Sequence, residues 1–291
     1  KKPCQRPAEL TVEEIRRAVT AFAQLGLWKV RLTGGEPTLR RDFENVARAV
    51  SSVPGIRRVA MTTNGYRLAE RAPAWRECGV SAINISVDSL DPARFAAITG
   101  HDRRGEVLRG VEAARDAGFD SIKLNAVLMR GVNDDELAAM VEFVTTRDLS
   151  LRFIEVMRTN DNAAFFDRHH VAGQSVIDRL EVAGWQRLSR AAGAGPAMEL
   201  GHPHAKGRIG IIAPYSRDFC ASCNRLRMAA DGKLHLCLFG DGGIDLRPLL
   251  AADDPAPLVA RIRALVGTKA PAHRLHAGNS GATPHLASIG G

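Results

Sequence analysis

The sequence predicts an α/β fold of parallel strand–helix–strand units, closed into a barrel or opened into a sheet, and three observations predict it. Short runs suited to strands alternate with amphipathic helical stretches up to about residue 160. Within the strand runs, apolar and polar residues alternate, where a sheet covered on both faces would read apolar throughout. Glycine- and asparagine-bearing turns then follow several of these runs, at the strand ends where such folds place their sites.

Taken in order, the first element is a helix. Thr11 suits an N-cap, Glu14 completes a capping box, apolar residues recur at Ile15, Val19 and Phe22, and Gly26 ends the segment. A strand is expected over 28–33, then the turn Gly34-Gly35-Glu36-Pro37 and a helix from about Asp42. Further strands are expected over 57–63, 82–88, 121–129 and 150–157, each preceded by a helical stretch. The opening helix has no strand before it, so the first strand–helix unit is expected to have lost its strand. Beyond residue 157 the alternation fades: 160–170 is polar, 173–183 reads as a helix, 191–196 as a small-residue linker, and 208–212 as a short strand. A soft boundary near residue 160 divides the chain into 1–160 and a smaller region, 161–291, that closes one end.

The strand faces suggest an interior. Ile83, Ile85 and Val87 share one face and Asn84, Ser86 and Asp88 the other; Val30 and Leu32 oppose Arg31 and Thr33; Ile122 and Leu124 oppose Lys123 and Asn125. Helices must cover the apolar faces, which turns the polar ones toward a common cavity. An unpaired Arg or Lys there costs several kcal/mol, so Arg31 and Lys123 call for a bound anion or for internal carboxylates, with Asp88 and Glu155 available as a structural network.

A formal charge of +8 and a pI near 9.6 suit an anionic partner, yet the basic residues are dispersed and aromatic residues make up only 5%, which disfavours a nucleic-acid reader. No run of about 18 apolar residues exists, so no membrane span is expected. The start, Lys1-Lys2-Pro3-Cys4, is neither a signal peptide nor an initiating Met, and a fragment of a longer chain is expected. Five cysteines without a secretion signal fit a reducing cytoplasm rather than a disulfide framework.

Three of them form the sharpest motif, Cys220-x-x-Cys223 followed by thirteen residues and then Cys237. Three thiolates leave a tetrahedral zinc site one ligand short, and His235, His202 or His204 could complete it. The alternative is a four-iron cluster whose fourth iron stays open to an exogenous ligand. Between these cysteines, Asn224-Arg225-Leu226-Arg227 sets two guanidiniums where forked donors could grip phosphate or a base edge, unless Asp218 or Asp231 simply pairs with them.

Together, Val30-Arg31-Leu32-Thr33-Gly34-Gly35-Glu36-Pro37, Thr62-Thr63-Asn64-Gly65-Tyr66, Asn84-Ile85-Ser86-Val87-Asp88-Ser89, the block from Asp218 to Arg227, Gly232-Lys233-Leu234-His235-Leu236-Cys237 and the terminal Gly290-Gly291 resemble the GTP 3′,8-cyclase family of radical-SAM enzymes over essentially the whole chain. The resemblance implies a partial six-strand, TIM-like radical-SAM barrel with a C-terminal iron–sulfur region capping its mouth. It implies that GTP becomes (8S)-3′,8-cyclo-7,8-dihydroguanosine 5′-triphosphate, the first step of molybdenum-cofactor synthesis. Gly35, Ser86 and Met157 match positions that hold S-adenosyl-L-methionine. Arg31, Thr62, Lys123 and Arg225, Leu226 and Arg227 match positions that hold GTP. Cys220, Cys223 and Cys237 match the ligands of a second 4Fe-4S cluster, which favours iron–sulfur over zinc. Gly290 and Gly291 match a tail that reaches the active site, whereas composition alone would leave 277–291 as frayed chain.

The resemblance also implies an electron donor, a downstream cyclic pyranopterin monophosphate synthase and room for a homodimer. The family's first-cluster motif, Cys-x-x-x-Cys-x-x-Cys, has no counterpart here, and Cys4 cannot replace it. A truncated form of a full enzyme is therefore expected, the alternatives being an inactive GTP- and cluster-binding relative or a zinc-stabilised barrel for another phosphate ligand.

Overall fold

The computed structural model describes residues 9–190, 193–217, 219–221, 223–240 and 242–281. Cys4, Asp218, Gly290 and Gly291 lie outside them.

Helix α1 (Val12–Gln24) begins as its sequence requires. Thr11 Oγ1 accepts from the Glu14 N–H at 3.1 Å while Glu14 accepts from the Thr11 N–H at 2.7 Å, so two otherwise orphaned donors are satisfied. Gly26, at φ +87°, ends it. Strand β1 (Lys29–Leu32) follows, and a single 3₁₀ turn over Pro37–Leu39 intervenes before α2 (Phe43–Ser51). The alternation continues through β2 (Arg58–Thr63), α3 (Leu68–Glu77), β3 (Val80–Ser86), α4 (Pro92–Thr99), α5 (Arg104–Asp116), β4 (Ser121–Leu128), α6 (Leu137–Thr145) and β5 (Ser150–Glu155).

Four strands end earlier than the sequence suggests, β1 and β4 by one residue and β3 and β5 by two. β3 stops at Ser86 because the next residues make side-chain-mediated links: Asp88 Oδ1 accepts from the Val127 N–H at 2.7 Å, and Asn133 Nδ2 donates to the Asp88 carbonyl at 2.6 Å. β5 stops at Glu155, which leaves Met157 on the connection beyond the strand.

The segment expected only to be polar contains a short helix, α7 (Ala163–His169), and α8 (Gly173–Val182) matches its expected position. A two-residue β6 (Gln186–Arg187), then β7 (Met198–Gly201) and β8 (Arg208–Ile212), complete the main sheet. Its order is β1-β2-β3-β4-β5-β8-β7-β6. β1 to β5 and β8 run parallel, while β7 and β6 are antiparallel. The sheet is therefore open, with β1 and β6 at its edges, and it continues past residue 160 because β8 pairs with β5.

A small second sheet, β11-β10-β9, joins Ile244–Asp245, Lys233–His235 and Arg227–Met228. The short α9 (Arg247–Leu250) and α10 (Ala256–Gly267) follow. Leu234, Leu246, Leu250, Leu258 and Ile262 pack with Leu10, Ala18 and Ala21, so this late segment returns to cover α1. Arg247 reinforces the join, its Nε donating to Glu14 Oε1 at 2.9 Å.

The main core lies between the sheet and its helices. Met61, Ile83, Leu124, Phe153 and Ile209 come from five adjacent strands, all buried and all in one apolar cluster. On β4 the alternation is complete: Ile122, Leu124, Ala126 and Leu128 are buried, while Lys123, Asn125 and Val127 are partly open. Leu124→Ala removes a side chain that is 1% exposed at the centre of this layer, and should lower unfolding free energy by about 2–5 kcal/mol. Urea or guanidinium titration measures it.

Candidate active site

Strand register places the polar faces in rows. Thr62 sits beside Asn84, Asn84 beside Lys123, and Lys123 beside Ser150. The next row runs Ser86, Asn125, Arg152, Gly210 and Glu199 across β3, β4, β5, β8 and β7. Asn84 Nδ2 donates to the Met61 carbonyl at 3.0 Å and reaches Thr62 Oγ1 at 3.4 Å, which fixes the threonine at the end of β2.

The cations on this interior crowd one another. Burial and the neighbouring Arg152, Arg225 and Arg227 lower Arg31 to about 10, still charged at neutral pH. Protein surrounds its guanidinium on most sides, while the residue as a whole remains exposed to solvent. Burial, with Arg152, Lys29 and Arg31, brings Lys123 down to about 8, and Glu199 opposes that shift. Arg227 falls to about 10 through burial and Arg225, with Cys223 and Cys237 pulling the other way.

Asp88 and Glu155 do not supply the missing negative charge. Asp88 accepts from the Val127 backbone, and Glu155 accepts from the N–H groups of Gly173 and, at 3.4 Å, Tyr215. Burial raises the pKa of both, outweighing the backbone donors and, for Glu155, the nearby His276.

Two contributors were missed by the sequence reading. Lys29 lies two residues before Arg31 on the same strand, and Arg152 lies on a strand whose faces were not sorted. Arg152 is buried, its Nη2 is 3.6 Å from Glu199 Oε1, and its Nε has no hydrogen-bond partner. The Asn125 Oδ1 on the adjoining strand is also unpartnered. A side chain at Gly210 would bring a Cβ within 3.1 Å of Arg152 Cγ, so glycine leaves the arginine its path toward Glu199. Alternation along β5 could have revealed Arg152, because Leu151 and Phe153 flank it in the core.

The two turns beyond β1 and β2 form one structure. Glu36 accepts from the Thr38 N–H at 3.1 Å, from Thr63 Oγ1 at 2.9 Å and from the Asn64 N–H at 2.6 Å. Gly35 is exposed, and a Cβ built there meets nothing within 4 Å. Ser86 is exposed at the end of β3, while Met157 packs with Leu238, Phe239 and Leu275.

Cys237 touches that same small cluster. Cys220, Cys223 and Cys237 are free and half-buried, and the Cys223 N–H bonds the Cys220 carbonyl at 2.9 Å in a tight turn. Burial pushes the Cys223 thiol up, but the Arg225 N–H and guanidinium together with Lys269 outweigh it and hold the thiol below its usual range. Arg225 stacks over Phe219 at 5.2 Å, and Leu226 packs toward the α1–α10 cluster.

Among the described residues, no three His, Cys, Asp or Glu side chains form a group that could hold a metal ion. His202 lies between Trp185 and His204, and His235 sits beside Gly243. A four-iron cube is wider than one ion, so its thiolates stand further apart than ligands to a single zinc. The donor set suits such a cluster: half-buried sulfurs, one thiol already depressed, and N–H groups directed at two of them.

Comparison with known proteins decides the family. A Radical SAM superfamily profile matches residues 2–144, and a profile described as Molybdenum Cofactor Synthesis C matches 149–275. A GTP 3′,8-cyclase of Stenotrophomonas maltophilia is 56% identical over 98% of this chain and 88% of its own length. The chain belongs to the GTP 3′,8-cyclase family. An Aeromonas hydrophila member of that family is 54% identical over 97% of the chain and 83% of its own length. The structure of Streptococcus suis SuiB bound to S-adenosylmethionine superposes with a TM-score of 0.60 at 14% identity, over 91% of this chain and 62% of SuiB. That likeness establishes the radical-SAM fold. Among the described residues, no helix is long and apolar enough to cross a membrane.

The lowered Lys123 has a measurable consequence for anion binding. Below about pH 7 it is charged with or without a bound polyphosphate. As the pH rises through about 8 the free protein loses that charge, and a polyphosphate bound beside it would draw the proton back. Affinity for triphosphate should therefore fall between pH 8 and 10 more steeply in the native protein than in Lys123→Met. Titration calorimetry in buffers of differing ionisation enthalpy should detect the proton uptake, and equal slopes in the two proteins would refute it.

Proposed function

We propose that the chain binds GTP within the open sheet and converts it to the 3′,8-cyclised nucleotide that begins molybdenum-cofactor synthesis. The observation that carries this reading is the uncompensated positive charge of the interior. Arg31 is acted on by Arg152, Arg225 and Arg227, and among the described residues no carboxylate pairs with it. A triphosphate supplies the charge that Asp88 and Glu155 do not.

In this reading Arg31 and Lys123 grip the phosphates, and Thr62, held by Asn84, adds a hydroxyl at the strand end. The segment Arg225, Leu226 and Arg227 presents two forked donors to the nucleoside, with Leu226 anchoring it through its packing toward the α1–α10 cluster. Cys220, Cys223 and Cys237 hold a 4Fe-4S cluster beside it. Gly35 leaves its backbone open to S-adenosyl-L-methionine, Ser86 offers a hydroxyl, and Met157 supplies apolar contact. When bound, the cofactor pair of the family supplies the hydrogen-abstracting radical, and the protein's part is orientation and exclusion of water. A one-electron donor is required, and a reducing cytoplasm suits the free thiols.

Binding tests the site directly. Arg31→Ala, Lys123→Ala and Arg227→Ala should each weaken GTP binding by about 2–5 kcal/mol, the usual cost of truncating a charge in a desolvated site. Arg16→Ala should not, since Arg16 pairs with Glu13 on the exposed side of α1. Equal losses in all four would replace the pocket with diffuse surface charge.

Gly290 and Gly291 are assigned to the chemical step, because a tail end without side chains can enter a narrow cavity. In protein carrying the family's Cys-x-x-x-Cys-x-x-Cys segment, deleting both should leave GTP affinity near native and sharply reduce cyclised product in a chromatographic assay. Full activity in the deletion variant would remove them from the mechanism.

A further inference from the structure

The segment after α10 converges on the cysteine loop in a way that neither the motifs nor the family match assigns. Leu258, Ile262 and Leu265 bury α10 against α1, which anchors the helix end. The Thr268 hydroxyl turns back to donate to the Leu265 carbonyl at 2.7 Å, and the chain leaves with Lys269 directed at the cysteines. Lys269 Nζ donates to the Arg225 carbonyl at 2.8 Å and the Cys223 carbonyl at 3.3 Å, and it lies 3.6 Å from Cys223 Sγ. Four residues on, the His273 N–H points at Cys220 Sγ from 3.5 Å. Thus one short stretch directs N–H donors at two of the three sulfurs. The His273 ring is wedged among Phe219, Phe239 and His276, which fixes the direction of its backbone.

We infer that Lys269 is a positioning residue that sets the reduction potential of the cluster on Cys220, Cys223 and Cys237 and fixes the loop presenting Arg225 and Arg227. The inference rests on the reading of those cysteines as cluster ligands. A cluster bound by three thiolates gains negative charge on reduction. A cation and an N–H donor beside a ligand sulfur stabilise that reduced form and raise the potential. The ammonium also ties two carbonyls of the loop together, so its loss frees the backbone that aims both guanidiniums. A lysine serving only as a surface charge would not contact a carbonyl on each side of Asn224 and the intervening sulfur.

The experiment compares native protein, Lys269→Met and Lys269→Arg after anaerobic iron–sulfur reconstitution. A protein of these 291 residues carries one cysteine triplet, and the signal followed is that of the cluster on it. Iron content in native protein and Cys220→Ala comes first: equal loading, or none in either, would overturn the ligand reading itself, separately from the role of Lys269. Redox titration monitored by electron paramagnetic resonance then gives the midpoint. Lys269→Met should load iron normally yet be harder to reduce by about tenfold in the equilibrium, which is 59 mV for a one-electron couple. It should also bind GTP several-fold more weakly. Lys269→Arg should recover most of the potential. A native midpoint in Lys269→Met overturns the inference. Should Lys269→Met fail to load, loading in Lys269→Arg supports a charge requirement at this place, and failure of both with a lowered unfolding midpoint shows a merely structural lysine.

Discussion

Like charges crowded on one face of a sheet are the constraint around which this molecule is arranged. Lys29, Arg31, Lys123 and Arg152 project from β1, β4 and β5, and Arg225 and Arg227 are brought to them from the C-terminal region. Repulsion and desolvation both work against folding here, as the lowered pKa values of Arg31, Lys123 and Arg227 record. The stability that holds them must come from elsewhere. It comes from the opposite face of the same strands, where Met61, Ile83, Leu124, Phe153 and Ile209 form a continuous apolar layer under the helices. Each strand thus spends its alternation twice, once on the core and once on the cavity.

Glu199 tempers the repulsion without removing it. It lies 3.6 Å from Arg152 and 3.9 Å from Arg208, and it opposes the depression of Lys123. Because β7 runs antiparallel beside β8, Glu199 falls opposite Gly210, and the missing side chain there lets Arg152 reach across. One glycine therefore decides whether a buried guanidinium meets its counterion. Arg31 has no such counterpart among the described residues, which concentrates the demand for an anion on its side of the cavity.

Much of this was legible before any coordinates. The α1 capping box, the five βα strands and the placing of Lys123 on the face opposite Ile122 and Leu124 all follow from local chemistry that a sequence displays. What stayed hidden depends on partners remote in sequence. The pairing of β8 with β5 carries the sheet past residue 160, and no local pattern announces it. Glu155 looked like an internal counterion from its strand alone, but its carboxylate is taken by the N–H groups of Gly173 and Tyr215. The short α7 was masked by the polar residues around Phe165 and Phe166. Residues 277–281, read from composition as frayed chain, are partly packed: Ser280 is 3% exposed and donates to Asn160 Oδ1 at 2.9 Å.

The same distinction explains why the cysteine motif needed a family resemblance to be read. Spacing tells which sulfurs can meet, but the choice of metal lies in what surrounds them. Here the surroundings are cationic and donor-rich: Arg225 and Lys269 outweigh the burial of Cys223, and Arg227 is sensitive to both Cys223 and Cys237. A structural zinc site wants a fourth fixed ligand and little else. A site that leaves one metal position for an incoming nucleotide wants cations within reach of that nucleotide. The carbonyl of Arg225 is held by Lys269, which α10, packed on α1, directs back toward the loop. The first helix of the chain, through Leu10, Ala18 and Ala21, thereby supports a site built more than two hundred residues later.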